Sequence, residues 1–133
     1  MTATNPAFSP ASITDSFERI REQIRQTCLE AGRDPQSVVL TAVSKTQSDE
    51  ALSAALAAGQ TVFGENRVQE AYQHWAHQRE GLELRLIGPL QTNKAEDAVA
   101  LFDVIETLDR EKLARALADA ITKTGQSVRV LVQ

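Results

Sequence analysis

Lys45 is the residue with the sharpest chemical potential. It closes the run Val38-Val39-Leu40-Thr41-Ala42-Val43-Ser44, which is short, rich in β-branched side chains and mostly apolar on both parities. In an extended strand Lys45 shares its side with Val43, Thr41 and Val39, so its amine emerges from a mostly apolar surface. A free lysine, with a pKa near about 10.4, is a poor nucleophile at neutral pH. Desolvation among apolar groups frees the lone pair, and the amine can then condense with an aldehyde to give a Schiff base. The competing reading is a lysine that snorkels from a strand end into water. Asn66 follows Gly64-Glu65 at a second strand end. A neutral amide there can hydrogen-bond a ring substituent or hydroxyl of a ligand, or serve as a turn or cap residue. The loop Gly88-Pro89-Leu90-Gln91-Thr92-Asn93-Lys94 offers backbone N–H groups, a cap candidate in Thr92 and a cation, which are the parts of an anion site at a helix start. Thr107 ends a further apolar run, with Asp109 beyond it.

Other reactive types read more plainly. Arg85 lies inside an apolar run and must be paired, reach a cavity mouth or bridge outward to a helix carboxylate, because an unpaired buried charge is costly. His74 and His77 are three apart on a helical pattern but lack a third ligand at metal spacing, so a solvated or packed face is expected. Cys28 falls on an apolar stripe and reads as core. Asp109, Arg110, Glu111 and Lys112 read as helix capping and solvated charge, with Asp109 as the cap.

These residues need elements to position them. Residues 1–11 are polar, with two prolines, and are expected to form a flexible tail, leaving 12–133 as the folded portion. A helix is predicted to start near Ser9 or Ser12, because Ile13, Phe17, Ile20, Ile24 and Cys28 form one helical face. Arg19, Arg21, Glu22 and Arg25 fall on its other faces; Gly32 and Pro35 end it. Ser48 reads as an N-cap with Asp49 and Glu50 in the first turn, opening a helix that runs to Gly59. Strands are predicted to begin near 38, 61, 84, 104 and 128, with helices over Val68 to about Gln78, Asn93 to Leu101, and from Asp109 to Gly125.

Regular β-α alternation implies a parallel sheet with right-handed crossovers. Two architectures compete, an open doubly wound sheet and part of a (β/α)8 barrel. No Gly-x-Gly-x-x-Gly follows a strand, which weakens the dinucleotide-binding form of the first. The near-constant repeat favours the barrel, which usually needs about 250 residues. The chain is therefore read as the N-terminal part of such a barrel, with sticky strand edges through which self-association is possible.

Composition narrows the function classes. The chain has 14 basic and 18 acidic residues and a net charge of −4, which argues against a general nucleic-acid surface. No apolar run approaches the roughly 20 residues that cross a bilayer, and the N-terminus lacks the pattern of a secretory signal. One cysteine allows no internal disulfide. A cytoplasmic protein without membrane or nucleic-acid partners is expected.

Four segments carry a resemblance. Ala42-Val43-Ser44-Lys45-Thr46, Phe63-Gly64-Glu65-Asn66-Arg67-Val68-Gln69-Glu70, Ile87-Gly88-Pro89-Leu90-Gln91-Thr92-Asn93-Lys94 and Thr107-Leu108-Asp109-Arg110 occur in order at strand ends. Together they resemble the pyridoxal phosphate homeostasis proteins (the YggS/PROSC-like family), over about Ile13 to Gln133. The resemblance implies an alanine-racemase-like (β/α)8 TIM barrel with pyridoxal 5′-phosphate (PLP) at its mouth. It implies that Lys45 carries PLP as a Schiff base, that Asn66 lines the pocket and that Thr107 lies near the cofactor. It also implies a non-catalytic carrier that regulates vitamin B6 and amino-acid balance, with apo PLP-dependent enzymes as recipients and a monomeric complete barrel. Two rivals stand beside it: a PLP-dependent amino-acid racemase, and a truncated scaffold that does not hold PLP tightly.

The sequence departs from the family in two places. Family members commonly carry His two residues before Ile-Gly-Pro-Leu-Gln, where this chain has Arg85. The family's phosphate-binding groups come from its last strands and loops, which this sequence does not include, so weakened PLP affinity is expected.

Overall fold

The fold was analysed in a computed structural model that describes residues 9–133. Most of the expected tail over 1–11 lies outside the described residues, and the remainder is already helical. Ser9 is the N-cap of α1 (Pro10–Glu30): its hydroxyl oxygen accepts the Ser12 N–H at 3.2 Å, and Pro10 sits in the first turn, where its missing N–H costs nothing. Gly32, at φ +71, takes the left-handed conformation just past the helix end.

The chain forms two compact units. The first comprises the described residues up to Thr41 together with Gln47–Thr61. In it α1 packs on α2 (Asp49–Ala57). Ser48 caps α2 as expected, accepting the Ala51 N–H at 3.2 Å. Arg21, expected on a polar face, instead binds the end of α2. Its guanidinium donates to the Ala58 carbonyl (2.7 Å) and to Gln60 Oε1 (2.8 Å), and it lies 5.1 Å from the Phe17 ring centre. A long charged side chain can do both because its stem is apolar and its head is a fork of donors.

The second unit holds the sheet: β1 (Ala42–Val43), β2 (Val62–Glu65), β3 (Glu83–Leu86), β4 (Val104–Leu108) and β5 (Arg129–Val132). All neighbours are parallel and the order is β1-β2-β3-β4-β5. A doubly wound sheet reverses its strand order at a switch point; a barrel adds each strand beside its predecessor. The observed order is the barrel's, and the fold is five consecutive strands of that type with α3 (Val68–Trp75), α4 (Ala95–Leu101) and α5 (Glu111–Thr124) between them.

Three local expectations are corrected. The first strand is two residues long rather than eight, because it is an edge strand and only Ala42 and Val43 pair with β2. Arg110, not Asp109, occupies the N-cap of α5, and Asp109 accepts from the Arg110 guanidinium instead (2.7 Å). Thr92 opens a one-turn 3-10 helix over Thr92–Lys94, and neither that turn nor α4 has a side-chain cap.

Burial differs between the two faces of the sheet. Phe63, Leu84, Leu86 and Ile105 are buried with Ala71, Trp75, Ala98, Val99 and Leu113 of the helices. Trp75 stacks on Phe63 with ring centres 4.3 Å apart. The alternate residues of β3, Glu83 and Arg85, are only half-buried, so this strand has the alternating pattern of a one-sided sheet rather than burial on both parities. Arg85 pairs with strand neighbours on that second face: Glu106 Oε2 at 2.7 Å and Glu83 Oε2 at 3.0 Å, with Arg129 also bonded to Glu83. Desolvation pushes the Glu83 carboxyl upward, but hydrogen bonds from Arg129 and Arg85 outweigh it and hold the group below the usual carboxylate range.

Candidate functional site

Lys45 stands one residue past the last bonded position of β1. The Ser44 N–H donates to the Gly64 carbonyl (3.0 Å), extending the pairing set by Ala42 with Phe63 and Val43 with Gly64. Two steps beyond Val43 and Gly64 lie Lys45 and Asn66, so the register brings them to neighbouring strand ends with the same parity. Ser44 and Glu65 have the other parity, and their side chains meet at 2.9 Å on the helix-covered face. Lys45 is exposed and Asn66 half-buried, and no hydrogen bond joins Lys45 to Asn66 or Thr107.

Thr46 ends the strand direction. Its φ of +63° is left-handed, which costs a residue with a branched Cβ about 1–3 kcal/mol and persists only where the surroundings enforce it. Its N–H donates to Glu70 Oε2 at 3.0 Å, which supplies that enforcement.

Asn66 is fixed by close backbone approach. A Cβ placed on Gly88 would lie 2.3 Å from the Asn66 carbonyl oxygen and 2.9 Å from its Cα, so only glycine fits there. The adjacent Ile87 N–H donates to the Glu65 carbonyl (2.9 Å). Thr107 is buried, and its hydroxyl donates to the Gly88 carbonyl at 2.9 Å. The structure thus links Asn66 to Gly88 and Gly88 to Thr107. Arg110 donates to the Leu90 carbonyl (2.7 Å), holding the following loop. Asn66 also borders an open cleft with Arg67, Tyr72, Gln91, Lys94 and Arg110; Lys45 and Thr107 do not border it.

One buried constellation was not singled out from sequence. Glu65 is fully buried; its Oε2 accepts from Ser44 Oγ (2.9 Å) and Trp75 Nε1 (3.0 Å) and lies 2.7 Å from His74 Nδ1. His74 is therefore the packed histidine, whereas His77 is exposed. No cluster with metal-binding composition occurs among the described residues. The available signal was parity: Ser44 and Glu65 precede Lys45 and Asn66 by one residue each, so they must share the opposite face.

No protein-family model matches the chain. Curated relatives do. It is 42% identical over 128 residues to the pyridoxal phosphate homeostasis protein of Vibrio alginolyticus, covering 92% of this chain and 55% of that protein. It is 38% identical over 125 residues to the protein of the same name in Escherichia coli (strain K12), covering 91% and 53%. This chain is similar in sequence to pyridoxal phosphate homeostasis proteins. It spans about half the length of those relatives. Among solved structures, PipY of Synechococcus elongatus PCC7942 with PLP bound matches at 39% identity with a TM-score of 0.66, over 84% of this chain and 52% of that one. A protein of Bifidobacterium adolescentis described as unknown matches at 29% identity with a TM-score of 0.83, over 98% and 57%. No described helix is long and apolar enough to cross a membrane.

Proposed function

We propose that this protein binds PLP with Lys45 as its covalent anchor and acts in PLP homeostasis as a carrier. The observation that carries the reading is the register that aligns Lys45 with Asn66, taken with the likeness to PipY, one of whose structures has PLP bound. When bound, the coenzyme supplies an aldehyde carbon that a primary amine captures reversibly. The donor set suits that end of the group: Lys45 offers a primary amine with no carboxylate bonded to it, exposed here rather than desolvated as its apolar neighbours in sequence suggest, and Asn66 offers a neutral amide for a ring hydroxyl. Thr107 serves by holding Gly88, whose backbone in turn sets Asn66. An anionic phosphate needs N–H donors or cations, and the reading assigns these to the part of the barrel that the relatives have beyond the matched span.

The role is taken as non-catalytic, in keeping with the relatives' description as homeostasis proteins, with apo PLP-dependent enzymes as recipients and a cytoplasmic location. Titration with PLP tests it. The protein should develop a visible absorbance that Lys45→Ala lacks, and the loaded protein should reactivate an apo PLP enzyme. Identical titrations of the two proteins would refute the anchor. PLP-dependent racemization of alanine that is lost in Lys45→Ala would refute the carrier role.

A further inference from the structure

We propose that Glu65 is a positioning residue for Lys45, acting through Ser44 to fix the register of β1; the inference rests on the reading of Lys45 as the anchor. β1 has two ladder positions on β2 and one further bond, from the Ser44 N–H to the Gly64 carbonyl, so its backbone pairing with β2 specifies register only thinly. Register matters here in an all-or-none way. A slip of one residue moves every side chain of a strand to the other face, and would carry Lys45 from the Asn66 side to the helix-covered side.

The side chains supply what the ladder does not. Ser44 Oγ donates to Glu65 Oε2 at 2.9 Å, and Trp75 Nε1 donates to the same oxygen at 3.0 Å while lying 3.3 Å from Ser44 Oγ. Ser44 is thereby held on the helix-covered face, and alternation then sends Lys45 to the other. On the far side of Lys45, the Thr46 N–H is held by Glu70 in a left-handed turn. Both residues flanking Lys45 are thus tied to carboxylates of the β2–α3 segment.

Glu65 is an unusual way to fill that space. Its Oε1 is buried without a hydrogen-bond partner, a burden that an apolar side chain of similar size would avoid. The carboxylate is explained by what Oε2 gathers rather than by core filling.

Ser44→Ala tests the inference, because it removes the tie and leaves His74 and Trp75 on Glu65. The readout is pyridoxyl incorporation at Lys45 after borohydride reduction with PLP, mapped by mass spectrometry. Amide exchange at Thr46 and thermal unfolding are followed in parallel. Incorporation should fall about tenfold, roughly the factor that a well-made buried hydrogen bond is worth. Thr46 exchange should quicken. Leu113→Ala, a buried change in α5, should lower the melting temperature more yet leave incorporation at Lys45 intact. If Ser44→Ala does not fold, Glu65→Gln and Glu65→Leu replace it: Gln, which keeps an accepting oxygen, should retain labelling that Leu loses. Wild-type labelling in Ser44→Ala, or equal labelling in the two Glu65 variants, overturns the positioning role while leaving the anchor in place. Absence of Lys45 labelling in the wild-type protein instead overturns the anchor, and the positioning role with it.

Discussion

Gly88→Ala is the perturbation whose effect is most tightly bounded by geometry. The added Cβ would meet the Asn66 carbonyl oxygen at 2.3 Å, the Asn66 Cα at 2.9 Å and its carbonyl carbon at 3.0 Å. All three atoms are backbone, so no flexible side chain can swing aside. The two strand ends must part by about 1 Å to reach ordinary van der Waals separation. Two hydrogen bonds resist that movement: Ile87 N–H to the Glu65 carbonyl and the Thr107 hydroxyl to the Gly88 carbonyl, each 2.9 Å. Overpacking of a well-filled site costs about 1–3 kcal/mol, and an unyielding backbone places this case at about 2–3 kcal/mol. With a urea m-value of about 1–3 kcal/mol/M, the unfolding midpoint should drop by roughly 1 M or more. The assay is equilibrium urea unfolding followed by Trp75 fluorescence, with PLP titration of the folded variant. Binding should weaken too, because Asn66 moves. A midpoint within about 0.2 M of wild type would refute the close approach of Gly88 to Asn66 and the site geometry built on it.

Two further outcomes follow from the charged groups. Arg21→Ala removes two hydrogen bonds and the cover over Phe17, and leaves the Ala58 carbonyl without that donor; it should destabilise the protein by about 1–2 kcal/mol in urea unfolding, and a change below about 0.3 kcal/mol would contradict the bond pattern. The Glu83 carboxyl is held below its ordinary value, so its contribution to stability is present above the unfolded-state pKa, about 4.3, and is lost as pH falls through the lower folded value. Arg85→Ala should raise the Glu83 carboxyl toward the ordinary range in an NMR titration and remove about 0.5 kcal/mol of that acid-sensitive stability, discounted because the pairs are partly solvated. An unchanged Glu83 titration would show that the pair is not formed in solution.

Much of the fold was legible because β/α alternation imprints itself locally. The starts predicted near 61, 84, 104 and 128 lie within a residue of the observed Val62, Glu83, Val104 and Arg129. Ser48 was legible as a cap because it precedes an apolar period, whereas the start of α1 was legible only as Ser9 or Ser12, two serines three apart, of which Ser9 is the cap. Asp109 was not, since which of two adjacent residues enters a helix depends on how the strand before it ends. β1 was overestimated because residue type encodes apolar extension, whereas a strand needs a ladder partner, and the pairing with β2 begins only at Ala42.

The site was half legible for the same reason. Parity alone puts Lys45 beside Val43 and off the side of Ser44, and once the register is known Asn66 joins it. Thr107 bonds the Gly88 carbonyl, a link from β4 to the loop after β3 that no local pattern encodes. The Glu65 constellation draws on β1, β2 and α3 at once, and Glu65 reads in sequence as one more carboxylate among 18 acidic residues. Arg85 was legible as a residue that must be paired, but not its partners, because those lie 2 residues away along one strand and 21 away on the next.

Borohydride trapping with PLP separates an anchor at Lys45 from adventitious labelling, since the chain holds four lysines, Lys45, Lys94, Lys112 and Lys123. At sub-stoichiometric PLP the pyridoxyl group should appear on Lys45 and vanish in a folded Lys45→Ala variant. A label spread evenly over Lys94, Lys112 and Lys123, or one that persists undiminished in Lys45→Ala, would contradict the account.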